Sequence, residues 1–127
     1  MLRVSTENIG DMAVIECEGK IAHDDAFALR DAVITQNSAH VLVLDLSEVN
    51  AIEGAGLGML VSLQYWAQQH SVQFKVFNPS YSVRYRLEQV RSMHEFEIAS
   101  LPEVMGLLMQ AQNQASLKVN SDTQIAA

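Results

Sequence analysis

The hydrophobic positions change their period along the chain, and each change marks an element. In Met12–Glu18, Ala13, Ile15 and Cys17 fall on one side while Val14, Glu16 and Glu18 fall on the other. That period of two predicts a half-buried strand, ended by Gly19. Leu2–Glu7 alternates more loosely and predicts a short strand, joined to the next through the turn residues Asn8-Ile9-Gly10-Asp11. Together the two predict a hairpin. From Asp24 to Ile34 the period lengthens, with Ala26, Leu29, Val33 and Ile34 at helical spacing. Asp24 and Asp25 stand at the start, where acids suit the positive end of a helix.

The run Val41–Leu46, VLVLDL, is nearly continuous and rich in β-branched residues, the pattern of a strand covered on both faces. A polar stretch, Ser47-Glu48-Val49-Asn50, predicts a loop. Leu57–His70 then predicts a helix with two apolar stripes, one of Leu57, Leu60, Val61 and Ala67, the other of Met59, Leu63 and Trp66. A helix apolar on two sides is either deeply buried or offers its second side to a partner. Val72–Phe77 alternates again as a strand. Asn78-Pro79-Ser80 breaks the chain before a helix over Tyr81–Val90, proline being well placed in a first turn. Glu95–Ile98 predicts a short strand. Leu101-Pro102-Glu103 opens a last amphipathic helix carrying Val104, Leu107, Leu108 and Ala111, and the pattern fades after about Gln114. The order β-β-α-β-α-β-α-β-α predicts an α/β fold, with a mixed, mostly parallel sheet of about five strands and helices packed against it.

Composition narrows the function. A chain of 127 residues, 49% of them hydrophobic, suits one domain with a real core. The net charge of −7 is uneven: residues 1–53 hold 10 acids against 3 bases, and the remainder holds equal numbers. The eight bases are scattered, the nearest to a cluster being Arg84, Arg86 and Arg91, which argues against nucleic acid as a partner. No apolar run reaches the roughly 20 residues of a membrane span. The first residues turn polar after four positions, unlike a signal peptide. A single cysteine, Cys17, fits a reducing compartment, and a cytoplasmic location is the expectation.

Candidate chemistry is sparse. His23, His40, His70 and His94 are far apart and show no metal-ligand spacing, so no metal and no cofactor are expected. Cys17 reads as a buried small hydrophobe. Asp45 and Glu53 bracket the loop after the central strand, where two carboxylates suit acid–base chemistry or a cation. With no third partner they read instead as a turn-forming Asp and a helix-entry Glu. Gly54, Gly56 and Gly58 lie between a strand and a helix, but Met59 breaks the dinucleotide fingerprint, and no Lys-Ser/Thr follows as a phosphate loop requires. An enzyme is not expected.

The stretch LDLSEVNAIEGAGLGML, Leu44–Leu60, resembles the signature of the STAS family, the sulfate-transporter and anti-sigma-factor-antagonist domains. Asp45-Leu46-Ser47, Val49, Ile52, Gly56, Leu57 and Leu60 carry the resemblance, and the element order matches over about Leu2–Gln112. The resemblance implies a STAS-like domain over residues 1–115; residues 116–127, where the hydrophobic period has faded, are expected to form a flexible tail. It implies a protein-binding module resembling an anti-sigma factor antagonist, with a serine-kinase anti-sigma factor as partner. In that family a hydroxyl residue before the second helix is phosphorylated, and phosphorylation switches binding off. Here the Asp-Ser-Ser-Gly-Leu of the family reads Glu53-Gly54-Ala55-Gly56-Leu57, so Ala55 stands where the phosphorylated serine would be. Alanine has no oxygen to accept a phosphoryl group. Two roles remain open: a binder without the switch, or an accessory subunit of an ABC-type lipid transporter. The expected binding surface is Glu53, Gly54, Ala55, Gly56 and Leu57, the outer side of the second helix (Met59, Leu63, Trp66), and the third-helix start (Ser80, Tyr81, Arg84). Trp66 fits core packing equally well.

Overall fold

A computed structural model describes residues 2–36, 38–90 and 96–126, with side chains as far as Ser116. Strands β1 (Leu2–Ile9) and β2 (Met12–Ile21) form the hairpin, turned by Gly10 and Asp11 alone. A short 3₁₀ turn (His23–Asp25) leads into α1 (Ala26–Ile34), followed by β3 (Val41–Ile52), α2 (Gly54–Gln69), β4 (Gln73–Phe77), α3 (Tyr81–Gln89), β5 (Glu97–Ala99) and α4 (Leu101–Ala126). The sheet runs β1-β2-β3-β4-β5 in chain order. Only β1 is antiparallel to its neighbour; the other three pairings are parallel.

That order decides the layers. Successive parallel strands step in one direction across the sheet, and right-handed crossovers then place every connecting helix on the same face. Leu29 and Val33 of α1, Leu57, Leu60, Leu63 and Ala67 of α2, and Val83 and Leu87 of α3 share one core with Ala13, Ile15, Cys17, Leu42, Leu44 and Val76. Among the described residues the other face is covered by α4 alone, through Val104 and Ala111 against Met12, Val43 and Ala99. The alternation read in β2 therefore separates two real environments, with Cys17 on the three-helix side.

Several boundaries differ from the pattern reading, and the largest difference matters for the site. β3 does not stop at Leu46: Ser47–Asn50, expected as a loop, continues the strand to Ile52. Two register shifts between β2 and β3 make this possible. They put Leu46, Val49 and Ile52 inside at a spacing of three, which hides the strand from a period-two reading. β2 likewise continues past Gly19, whose φ of 105° belongs to that irregularity, and ends at the buried Ile21. β1 reaches Ile9, two residues into the expected turn. α2 begins at Gly54, three residues before Leu57. Asp24 and Asp25 head the 3₁₀ turn, where the Asp25 carboxylate accepts from the backbone N–H of Ala22 and Leu2 at 3.1 and 3.3 Å. Glu95, expected to start the last strand, lies outside the described residues. The helix α4 runs to Ala126; the side chains from residue 117 on, where the flexible tail was expected, also lie outside them.

Cys17 is 2% exposed, and burial, with the nearby Asp45 charge second, pushes its thiol up to about 12. The thiolate is the reactive form. In native buffer at pH 8 the thiol is expected to react with a disulfide reagent at least ~100-fold more slowly than in denaturant. Rapid labelling of the folded chain would contradict this burial.

Candidate partner-binding surface

The parallel strands β2, β3 and β4 end on one side of the domain, and the loops that leave them carry most of the expected site. Ile52 closes β3 and Glu53 caps α2 in an extended conformation, with its N–H donating to the Ile21 carbonyl at 2.9 Å. Its carboxylate does not cap the helix. It turns to the end of β2, pairing with Lys20 Nζ at 2.8 Å and accepting from the backbone N–H of His23 at 3.2 Å. The Lys20 hydrogen bond first, then the His23 N–H, holds the Glu53 carboxyl below its usual range, and Glu53 in turn raises the Lys20 ammonium. Both groups are open to solvent, so this latch fixes the loop's conformation more than it stabilises the fold.

The next four residues divide between inside and outside. Gly54 and Ala55 are exposed; Gly56 and Leu57 are buried. A β-carbon on Gly56 would stand 2.7 Å from Ile21 Cγ2, 3.0 Å from Ile52 Cγ1 and 3.1 Å from the Ile21 carbonyl oxygen. The glycine therefore lets the first turn of α2 sit directly on the ends of β2 and β3. A β-carbon on Gly54 or Gly58 would meet nothing. The first turn of α2 thus offers solvent a small, oxygen-free side-chain surface: Gly54, then Ala55.

The start of α3 joins this end of the sheet through Ser80, whose hydroxyl faces the Val49 carbonyl at 3.4 Å in the β3 extension and the Val83 N–H at 3.5 Å. Tyr81 is 85% exposed, and Arg84 pairs with Glu88 one turn on at 3.3 Å. Ser80, Tyr81 and Arg84 lie at the first turn of α3, after a loop that Asn78 turns with a φ of 50°.

The outer side of α2 needs correction. Leu63 is 2% exposed and belongs to the core stripe with Leu57, Leu60 and Ala67, because those four follow the spacing that faces the sheet. Leu57 is buried as well and supports the surface from beneath. Met59 and Trp66 are half-buried against the core. Trp66 also stacks on His70 at 4.7 Å between centroids, and the His70 Nδ1 donates to the Trp66 carbonyl at 2.8 Å. Sequence reasoning missed Phe27, which is 64% exposed and forms, with Arg30, Met59 and Trp66, an open groove of about 330 Å³ between α1 and α2. A phenylalanine outside the Ala26, Leu29, Val33 spacing was the available signal. Lys20 and His23 were missed too, since only the tertiary fold brings them to Glu53.

Asp45 and Glu53 do not converge on one ligand. Asp45 Oδ1 accepts from the Ser47 N–H and hydroxyl at 2.9 and 2.6 Å, a local turn within β3, while Glu53 is committed to Lys20 and His23. Among the described residues, no group of three His, Cys, Asp or Glu is placed to hold a metal, and no helix is long and apolar enough to cross a membrane.

A sequentially ordered five-stranded sheet, three helices on one face and a last helix on the other, with a glycine-opened helix seated on the strand ends, defines a STAS-type α/β domain. The chain belongs to the STAS domain family, whose model matches residues 3–103. Among solved structures it is similar to an anti-sigma factor antagonist from Mycobacterium paratuberculosis, at 20% identity and a TM-score of 0.73, over 86% of this chain and 95% of that one. It is also similar to the anti-sigma factor antagonist SpoIIAA in its unphosphorylated form, at 14% identity and a TM-score of 0.71, over 85% and 97% of the two chains. A third likeness is to the murine anion transporter Slc26a9, at 16% identity and a TM-score of 0.68; it covers 82% of this chain but 18% of the transporter. At these identities the likenesses show the fold. No curated protein matches the chain by sequence.

Proposed function

We propose that this domain is a non-catalytic protein-binding module of the anti-sigma factor antagonist kind, and that it binds without a phosphorylation switch. The observation that carries the reading is the first turn of α2. It stands exposed at the strand ends, latched by Glu53 to Lys20 and His23, and it presents Gly54 and Ala55 where the family signature has hydroxyls. The nearest serines in sequence, Ser47 and Ser62, are eight and seven residues from Ala55. The fold likeness to two anti-sigma factor antagonists supports an anti-sigma factor as the kind of partner; its being a serine kinase met in the cytoplasm is part of the proposal. The surface consists of Glu53, Gly54 and Ala55, the half-buried Met59 and Trp66, and Ser80, Tyr81 and Arg84, with Gly56 and Leu57 setting its position.

Affinity purification from native lysate tests this with the wild type, Ala55→Ser and Ala55→Asp. The wild type is expected to retain its partner in the presence of ATP. Ala55→Asp is expected to weaken the complex by at least ~10-fold, since a new charge at the contact must be desolvated. The same charge lies in the first turn of a helix, where it stabilises by ~0.3–1 kcal/mol. Binding and stability should therefore move in opposite directions, which separates a lost contact from a lost fold. Ala55→Ser is expected to restore release by ATP. Release of the wild type by ATP, or indifference of the partner to both substitutions, would refute the proposal. Recovery of a transporter ATPase subunit in place of a kinase-fold protein would move the same surface to the lipid-transport role.

A further inference from the structure

The face opposite α1–α3 is only half covered. α4 crosses it from the end of β5 to the start of β2, where Ala111 packs against Met12. One flank of α4 looks toward the strands' beginnings: Glu103 reaches Lys75 at 3.8 Å, and Leu107 borders an open pocket beside Val41. At 100° per residue, Leu101, Met105 and Met109 lie on the opposite flank, toward the strands' later halves. They are 60%, 51% and 61% exposed, although each is as apolar as the residues α4 buries.

Among the described residues, no helix covers the sheet beside that flank. The sheet's outward residues there include Arg3, Ser5 and Glu7 on β1, Val14, Glu16 and Glu18 on β2, and Asp45 and Glu48 on β3. Glu16 stands beside Asp45 and Glu18 beside Glu48 on adjacent strands, like charges in neighbouring positions. Arg3, opposite Glu18, is the base on this part of β1. Glu16 and Glu18, with Arg3 and Ser5, line a shallow depression of about 340 Å³. The acidic excess of residues 1–53 is thus concentrated partly on one floor, walled by an apolar helix flank.

We propose that this half-open face docks a basic amphipathic helix from a partner protein. The Leu101–Met109 flank supplies about 12 Å of apolar wall, and strands β1–β3, set about 4.8 Å apart, make a floor close to one helix diameter wide. A helix with leucine-like residues on one side and lysine or arginine on the other covers the wall and neutralises the floor together. A second copy of this chain does not suit the site, because it would bring another set of the same carboxylates to the floor. The surface is separate from the α2 end and does not depend on the function proposed for it.

The test uses the full chain and an 18-residue leucine–lysine amphipathic peptide, followed by NMR amide shifts and titration. Shifts are expected at Val14, Glu16, Asp45, Met105 and Met109. Met105→Ser/Met109→Ser and Glu16→Gln/Glu18→Gln are each expected to weaken binding at least ~10-fold. Both pairs are exposed, and the second removes facing like charges, so the fold is retained. Asp24→Asn/Asp31→Asn removes the same number of charges from the other side of the domain and is expected to change binding less than ~2-fold. Equal losses from the two charge-neutralising pairs, or shifts confined to the α1–α2 groove, would overturn the proposal. So would a dimer of the chain alone that Glu16→Gln/Glu18→Gln alters, which would make a second copy the occupant.

Discussion

Gly10→Ala is expected to lower the free energy of unfolding by about 2–4 kcal/mol, from a left-handed backbone cost and a packing clash together. Gly10 is the first of the two hairpin turn residues and has a φ of 57°, a conformation glycine adopts freely. A β-carbon there would also lie 2.5 Å from the Ala111 carbonyl oxygen in α4. The obstacle is backbone, so no side chain can swing aside. Either the hairpin turn or the helix must move, and α4 is the only described cover on its face of the sheet. The loss is a large part of the ~5–15 kcal/mol typical of a domain. Urea unfolding should show a lower midpoint at an unchanged slope. A loss below ~1 kcal/mol would mean that the turn and α4 adjust freely, contrary to this close approach.

Gly56→Ala is expected to cost about 1–3 kcal/mol and to weaken partner binding as well. The β-carbon would press on Ile21 and Ile52, the residues that end β2 and β3. Ile21 and Ile52 are 0% and 2% exposed, so neither has free space to retreat into. The first turn of α2 would be lifted, carrying Gly54 and Ala55 with it. Gly58→Ala is the control: it lies on the exposed side of the same helix, where a β-carbon meets nothing. It is expected to stabilise by ~0.5–1 kcal/mol through helix propensity and to leave binding unchanged. Equal effects of the two substitutions in thermal unfolding and pull-down would show that Gly56 does not seat the helix.

These two glycines look alike in the sequence as turn or loop residues; what sets both apart from Gly54 and Gly58 is the atoms that lie across from them, and for Gly10 its left-handed φ as well. The same limit applies elsewhere. The alternation in β2, the β-branched run in β3 and the helical spacing of Leu29 and Val33 were legible because side chains on one element share one environment. β3 beyond Leu46 was not legible, because register shifts against β2 changed its burial period from two to three. Leu63 was misplaced because α2 is apolar around much of its circumference, and pattern alone does not say which stripe meets the sheet. Exposed Phe27 and the exposed flank of α4 break their helices' amphipathic patterns, and the sequence marks that break without saying what lies beside it.

The sequence by itself determined the element order, the mixed α/β class, the signature around Asp45-Leu46-Ser47 and the absence of a hydroxyl at Ala55. These are local properties: period, residue type and spacing. Only the tertiary structure decided that Glu53 latches to Lys20 and His23, that Gly56 seats α2 on Ile21, and that the acidic residues of β2 and β3 share an open floor beside Leu101, Met105 and Met109. Each of those relations joins residues tens of positions apart, and it is set by crossover handedness and strand register, which no window along the chain contains.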